Sequence, residues 1–261
     1  MNNFFNWTIC EHTWRELRAN KLRMCLIALM ILYPIVCRAQ ELCVRGQPSD
    51  YFSTHGVSIP YVLICVTGAI GKEVSDGTLA LVLARPLTIT RYVLSKWITL
   101  STVSAICSVI QLVLEVIVSL GWGYKLEFID VLSNGAERVL ECFALVALML
   151  FFSSLVSGVK DLALYFFLQI ASSFLAMVGS LEPDRAFGWI ERYLLLPFAS
   201  FANQLFDMVT LLTNPSIDLD IVFLQARLGF AAVVNYLAVL TISLALAIWA
   251  LNRKELPYGA D

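Results

Sequence analysis

The chain is dominated by apolar runs that are long enough to cross a membrane, of which residues 97–121 and 227–251 are the clearest. A helix needs about 20 apolar residues to span a bilayer. The runs are continuous, whereas the strands of a membrane barrel alternate apolar and polar residues over segments of about ten. Only 15% of the residues are charged, compared with about 25% in soluble domains. The sequence therefore predicts an all-α, polytopic membrane protein.

Six spans are predicted, and they make the whole chain, residues 1–261, one transmembrane domain. Basic residues decide the orientation, because Lys and Arg in short loops favour the cytoplasmic side. With the N-terminus inside, eleven of the 18 basic residues are cytoplasmic and seven lie outside, so both termini are expected in the cytoplasm. The expected location is a cell membrane, specifically a prokaryotic inner membrane. The spans are residues 22–38, 55–71, 97–121, 138–158, 162–180 and 227–251.

Residues 3–22 have the pattern of an amphipathic helix that lies along the cytoplasmic membrane interface. Apolar residues recur at steps of three and four. Charged residues occupy the opposite side, where Glu11 and Arg15 are spaced to form an i,i+4 pair. The helix is either a simple membrane anchor or a lever between a cytoplasmic partner and the first span, and the sequence leaves both open. The apolar positions are Phe4, Trp7, Cys10, Trp14 and Leu17.

The outer segment, residues 181–226, contains an ambiguous stretch at 187–213. That stretch is long enough to span, but it carries several charged residues, and a seventh span would move Arg253 and Lys254 to the outside. The favoured interpretation is a re-entrant or interfacial helix on the outer face, since backbone at membrane depth is tolerated where protein covers it.

The pair Gly71-Lys72 resembles the end of a nucleotide-binding loop but lacks the rest of it. A Walker A loop has the pattern G-x-x-x-x-G-K-[ST]. Here Val66 stands where the first glycine belongs, and Glu73 follows the lysine in place of a hydroxyl residue. The chain is therefore not expected to bind ATP through this loop.

Catalytic and metal-binding patterns are also missing from the predicted spans. The two histidines, His12 and His55, lie outside them. This placement excludes an intramembrane two-histidine metal site and argues against a serine–histidine protease. The seven cysteines form no C-x-x-C motif. We therefore expect no enzymatic activity, no cofactor and no metal in this chain.

Glu115 is the one acidic residue well inside a predicted span. An ionisable residue within a membrane is a functional candidate, because its burial is costly. Glu115 is therefore a candidate for proton or substrate coupling. The alternatives are that it reaches interfacial water near the outer end of its span or pairs across a helix.

The loop 72–96 is predicted to be cytoplasmic and to contain a short helix from about Ser75 to Ala84. Asp76 or Thr78 is expected to cap it, and Gly77 permits a bend with positive φ. Pro86 ends it, because the residue before a proline resists helical geometry. The helix carries exposed apolar surface next to charge, which is typical of a docking site. A short interfacial turn helix is the alternative.

The loop resembles the first cytoplasmic loop of ABC transporter permeases of the second type. In that family, the loop between spans two and three carries a coupling helix that docks on the ATP-binding subunit. The resemblance implies that Leu79 and Leu83 form an apolar plug and that Glu73 either accepts from a basic residue of the ATPase or holds the loop against Lys96 or Arg91. Lys96 is taken simply to mark the inner interface. The pattern consists of Glu73, Asp76-Gly77-Thr78-Leu79, Leu83-Ala84-Arg85-Pro86, Arg91 and Lys96.

Further features resemble the same family over nearly the whole chain. The N-terminal helix resembles the family's connecting helix, and the outer segment resembles its re-entrant helices. The turn between spans four and five stands where the family has a second cytoplasmic contact, which implies that role for Gly158, Lys160 and Asp161.

The resemblance implies a permease subunit in the lipid bilayer, with export expected rather than import. Two separate ATPase subunits would bind ATP and Mg²⁺, and the permease would form a homodimer or a heterodimer. No nucleic acid partner is expected. The alternative is a non-transporting membrane module that uses the same ATPase contact to act on an outer-face protein. Neither the family nor the sequence specifies the cargo.

Overall fold

The computed structural model describes residues 6–45, 58–79, 88–121, 127–156, 160–179, 201, 204–210, 219 and 226–253. Within these ranges the regular structure is helical, which confirms the all-α prediction. In chain order the helices are α1 (Trp7–Ala19), α2 (Lys21–Arg45), α3 (Ile59–Val66), α4 (Gly71–Ser75), α5 (Ile89–Gly121), α6 (Phe128–Leu155), α7 (Lys160–Gly179) and α8 (Ala226–Arg253), and residues 204–210 are also helical.

Three of the described helices are long and apolar enough to cross a membrane. They are α5, α6 and Gly229–Arg253 of α8, and they coincide with the third, fourth and sixth predicted spans. Helices α2 and α7, of 25 and 20 residues, overlap the first and fifth predicted spans. Helices α5 and α6 begin earlier than the sequence predicted, at Ile89 and Phe128.

The second predicted span is not a continuous helix up to residue 71. Helix α3 has only eight residues, about 12 Å at 1.5 Å per residue, and it ends at Val66. Thr67 leaves helical geometry with ψ 122°, and Gly68 has a φ of +72°. The chain then turns and restarts as α4. A left-handed glycine just after a helix is a common stop signal, and the prediction overlooked it.

Helix α6 lies at the centre of the packed helices. It contacts α3, α4, α5, α7 and α8. Every residue from Ala144 to Leu150 is at most 4% exposed, as expected for a helix that is apolar on all sides. The neighbouring α5 keeps an exposed apolar stripe, which is suited to contact with lipid. The stripe consists of Ile106, Ile110, Val113, Ile117 and Leu120.

The N-terminal amphipathic helix is confirmed as α1. Asn6 caps it by accepting from Thr8 N at 3.0 Å, and the predicted Glu11–Arg15 ion pair forms at 2.5 Å. The packed face differs from the prediction because Trp7 and Trp14 are exposed. The buried side chains, in a helix that packs on α5, are Ile9, Cys10, Thr13 and Leu17.

Asn20 separates α1 from α2. Its backbone N–H bonds to Leu17 O at 3.3 Å and closes α1, while its side-chain oxygen accepts from Arg23 N at 3.3 Å in the first turn of α2. One residue thus ends one helix and caps the next.

Several predictions fall on residues outside the described ranges. In the outer segment the structure describes residues 201, 204–210, 219 and 226, so the choice between a re-entrant and a spanning stretch stays a prediction. Leu83, Pro86 and Gly158 also lie outside the described residues.

Candidate functional site

The break between α3 and α4 is held by side chains from two other helices. Gly68 N donates to Asp161 Oδ2 at 2.8 Å. The N–H groups of Ile70 and Gly71 both donate to Ser153 Oγ, at 3.1 and 2.9 Å. Buried backbone N–H groups need such partners when a helix is interrupted. We call residues 67–78, together with these partners, the α3–α4 junction.

The contact between Gly68 and Asp161 joins two loops that were predicted separately. Asp161 is fully buried and was predicted to belong to a second cytoplasmic contact. Its carboxylate accepts from Gly68 N and from its own neighbour Leu162 N, the latter at 2.8 Å. The preceding Lys160 is exposed. The start of α7 and the α3–α4 junction therefore lie on the same side of the molecule.

Two cations satisfy the carbonyl groups left over where α3 ends. Arg23 donates from one guanidinium nitrogen to Thr67 O at 2.6 Å, and Lys96 Nζ donates to Ala69 O. Positive side chains are favoured at the carboxyl end of a helix. These contacts attach the junction to α2 and α5.

Glu73 connects the junction to the start of α5 by two further contacts. Lys96 Nζ forms an ion pair with one carboxylate oxygen, and the Tyr92 hydroxyl donates to the other. The side chain of Lys96 is 2% exposed, and its Nζ lies 5.2 Å from the Tyr92 ring centroid. The intrachain role foreseen for Glu73, holding the loop against Lys96, is confirmed. The interpretation of Lys96 as a mere interface marker is wrong, because its side chain is buried and bonds both Glu73 and Ala69 O.

The exposed part of the junction is a short polar turn. Lys72, Ser75, Asp76, Gly77 and Thr78 are exposed. Asp76 is the C-cap of α4, whereas the sequence placed it at the start of a helix, and Ser75 Oγ donates to Lys72 O at 2.9 Å. The sequence did not predict α4, because a five-residue helix with one apolar side chain shows no helical periodicity of apolar residues.

Leu79 differs from its predicted role as an exposed plug. Its side chain is 1% exposed and belongs to the main apolar core together with Tyr92 and Val93. Arg91 is half-buried, and its backbone N–H donates to Thr88 Oγ1 at 3.4 Å. The described part of the loop therefore exposes polar side chains to its surroundings, while the apolar Leu79 packs into the core.

Gly77 has a φ of +69°, which confirms the predicted left-handed bend. We expect Gly77→Ala to lower the free energy of unfolding by about 1–2 kcal/mol, because a Cβ is disfavoured at positive φ although the site is open. Thermal unfolding in detergent measures the effect. Gly121→Ala is the matched control, since Gly121 also has open space but no positive φ. Equal unfolding temperatures for the two variants would contradict the expectation.

A second polar cluster lies between α5 and α6. Glu115 pairs with Arg138 at 3.0 Å and accepts from Gln111 Nε2 at 2.6 Å, while the Tyr61 hydroxyl donates to Gln111 Oε1. We call these four residues the Glu115 cluster. The foreseen pairing of Glu115 across a helix is thus confirmed. Arg138 was counted with the outer loop, yet its side chain is 1% exposed.

Two further acidic residues, which the sequence did not single out, lie beside Arg138. Glu137 and Glu141 are 9% and 3% exposed, and Glu137 Oε1 accepts from Leu219 N at 2.8 Å. Placing the fourth span at residue 138 left this turn of α6 at a boundary. The sequence signal for this cluster was the i, i+1 and i+4 spacing of Glu137, Arg138 and Glu141, just before an apolar run.

The family assignment agrees with this arrangement. The family model for ABC-2 family transporter proteins matches residues 7–256. The chain belongs to this family. No curated protein matches the ABC-2 chain significantly. Membership makes the protein a membrane transport component and implies association with ABC ATPase subunits.

Proposed function

We propose that this ABC-2 protein is the permease subunit of an exporter and that its ATPase docks on the polar turn, residues 72–78. The observation that carries the proposal is the construction of the α3–α4 junction. The exposed turn is continuous with a segment that is tied to α2, α5, α6 and α7 through Arg23, Lys96, Ser153 and Asp161. A displacement of the turn would therefore move several helices together.

Helix α5 provides a path from the turn to the far side of the helix bundle. Lys96 and Glu115 are both on α5, and their separation of 19 positions corresponds to about 28 Å along the axis. Lys96 holds the junction at one end, and Glu115 holds α6 at the other. We propose that Glu115 keeps α5 and α6 moving as a unit. Pairing with Arg138 favours this structural role over direct proton coupling.

The proposed assembly contains two permease chains, identical or similar, and two ATPase subunits. The ATPase subunits bind ATP and Mg²⁺, and closure of the ATPases pushes the polar turn on the cytoplasmic side. The resemblance to type-2 permeases supports the outward direction of transport. Exposed Lys160, adjacent to the buried Asp161, supports a second ATPase contact next to the first.

Charge reversal on the polar turn tests the docking proposal. We expect Asp76→Lys to abolish co-purification of the ATPase from mild detergent, because it reverses the charge of an exposed side chain in the proposed docking surface. Tagged permease is recovered from membranes, and the ATPase is measured by mass spectrometry and by hydrolysis. The change should leave the permease folded, which its thermal unfolding temperature shows.

Asp130→Lys is the matched control, since Asp130 is also exposed but lies in the first turn of α6. That variant should retain the ATPase. Full recovery of the ATPase with Asp76→Lys would place the docking surface elsewhere. Leu79→Asp is unsuitable for this purpose, because charge at a residue 1% exposed would disrupt the core.

A further inference from the structure

Three side chains with metal-ligating atoms converge where α1 passes α4. They are His12 and Glu16 on α1 and Glu73 on α4, and their ligand atoms all lie within 4.8 Å of one another. His12 and Glu16 are four residues apart, so they lie on one face of the helix. Glu73 approaches that face from a different element. The sequence predicted no metal site, because residues 12 and 73 are far apart in the chain.

We propose that His12, Glu16 and Glu73 bind a divalent cation of the zinc class. Zn²⁺ accepts both imidazole nitrogen and carboxylate oxygen as ligands, and a zinc site with three protein ligands leaves the fourth position to water. Mg²⁺ and Ca²⁺ prefer oxygen ligands alone. Ligands at about 2.1 Å from a tetrahedral ion are roughly 3.4 Å apart. Small side-chain rotations of the exposed His12 and Glu16 would close the present separation.

Glu73 is already oriented for this role. One of its carboxylate oxygens is held by Lys96 and the other by the Tyr92 hydroxyl, both from α5. Ligating carboxylates commonly have such outer partners, which fix their direction. Each oxygen retains a second lone pair for a metal. The third ligand is thus preorganised, while the two ligands on α1 adjust to it.

The surrounding charges set a limit on the affinity. Glu16 lines a cavity of about 510 Å³ together with Lys21, Arg23 and Lys72, and Lys96 contacts Glu73 directly. These cations offset part of the negative charge of the two carboxylates. We therefore expect micromolar rather than nanomolar binding.

A bound ion would connect α1 to the α3–α4 junction. In the described structure α1 packs mainly on α5 and joins α2 through Asn20. The ion would add a direct link between α1 and Glu73 of α4, which lies within the polar turn. The inference does not depend on the transport function, since binding and helix protection are measured without turnover.

Zinc titration of the purified full chain in detergent tests the site. We expect one Zn²⁺ equivalent in isothermal calorimetry that is weakened roughly tenfold or more by His12→Asn and by Glu16→Gln. Glu11→Gln is the matched control, because Glu11 is also acidic and exposed on α1 but pairs with Arg15. Zinc held by cysteines would appear equally in all variants. Hydrogen exchange of the α1 amides should slow with Zn²⁺ in the wild type and not in His12→Asn.

Three results would overturn the inference. The first is wild-type chain that binds no Zn²⁺ at micromolar concentration. The second is equal affinity in the wild type, His12→Asn and Glu16→Gln. The third is hydrogen exchange of the α1 amides that does not change when Zn²⁺ is added to the wild type.

Discussion

Lys96→Met is expected to lower the free energy of unfolding by about 3–5 kcal/mol, the usual cost of removing one partner from a buried ion pair. The Glu73 side chain is 13% exposed and would lose its counter-charge. Ala69 O would lose a donor as well. Equilibrium unfolding in mixed detergent measures the change. ATPase activity coupled to the permease should fall with it, because the Tyr92–Glu73 hydrogen bond would then hold the turn to α5 without the Lys96 ion pair.

Two further variants separate this effect from general damage. Glu73→Gln combined with Lys96→Met should recover part of the lost stability, because no charge is left without its partner and Gln still accepts from Tyr92. Lys72→Met is the control for stability alone, since Lys72 is an exposed lysine that directly precedes Glu73. A substitution at an exposed position should change the free energy of unfolding by at most about 0.5 kcal/mol. Similar losses for Lys96→Met and Lys72→Met would refute the structural role of Lys96.

Arg138→Met is expected to have an effect of the same size, about 3–5 kcal/mol, at the other end of α5. The Glu115 side chain is 11% exposed and pairs with Arg138 at 3.0 Å. Without the guanidinium, the Glu115 carboxylate would keep the hydrogen bond from Gln111 on its own helix but would lose its counter-charge inside a membrane helix. Unfolding in mixed detergent again gives the magnitude, and Glu115→Gln combined with Arg138→Met should be less destabilised than Arg138→Met.

The chain contains a matched control for this experiment. Arg15 and Glu11 form the same type of pair, but their side chains are 77% and 48% exposed. An exposed pair contributes about 0–1 kcal/mol, so Arg15→Met should change stability little. If Arg15→Met and Arg138→Met destabilise equally, burial does not set the strength of the Glu115–Arg138 pair.

The apolar runs were sufficient to predict the helical class and three spans. Helices α5, α6 and α8 are continuous apolar segments, and a backbone in lipid has few alternatives to the helix. Local patterns also predicted α1, the Glu11–Arg15 pair and the left-handed Gly77, because each depends on residues within about one or two helical turns.

Contacts between distant residues decided the remainder. The sequence could not place Lys96 in the core, pair Arg138 with Glu115 or join Gly68 to Asp161, because each contact links residues at least 23 positions apart. It also predicted Leu79 as exposed, because the local sequence does not distinguish an apolar loop residue that binds a partner protein from one that packs into the chain's own core. The sequence by itself determined which segments are helical and apolar, through local hydrogen bonding and transfer from water. Only the tertiary structure decided which charges are buried, because that depends on which helices pack together.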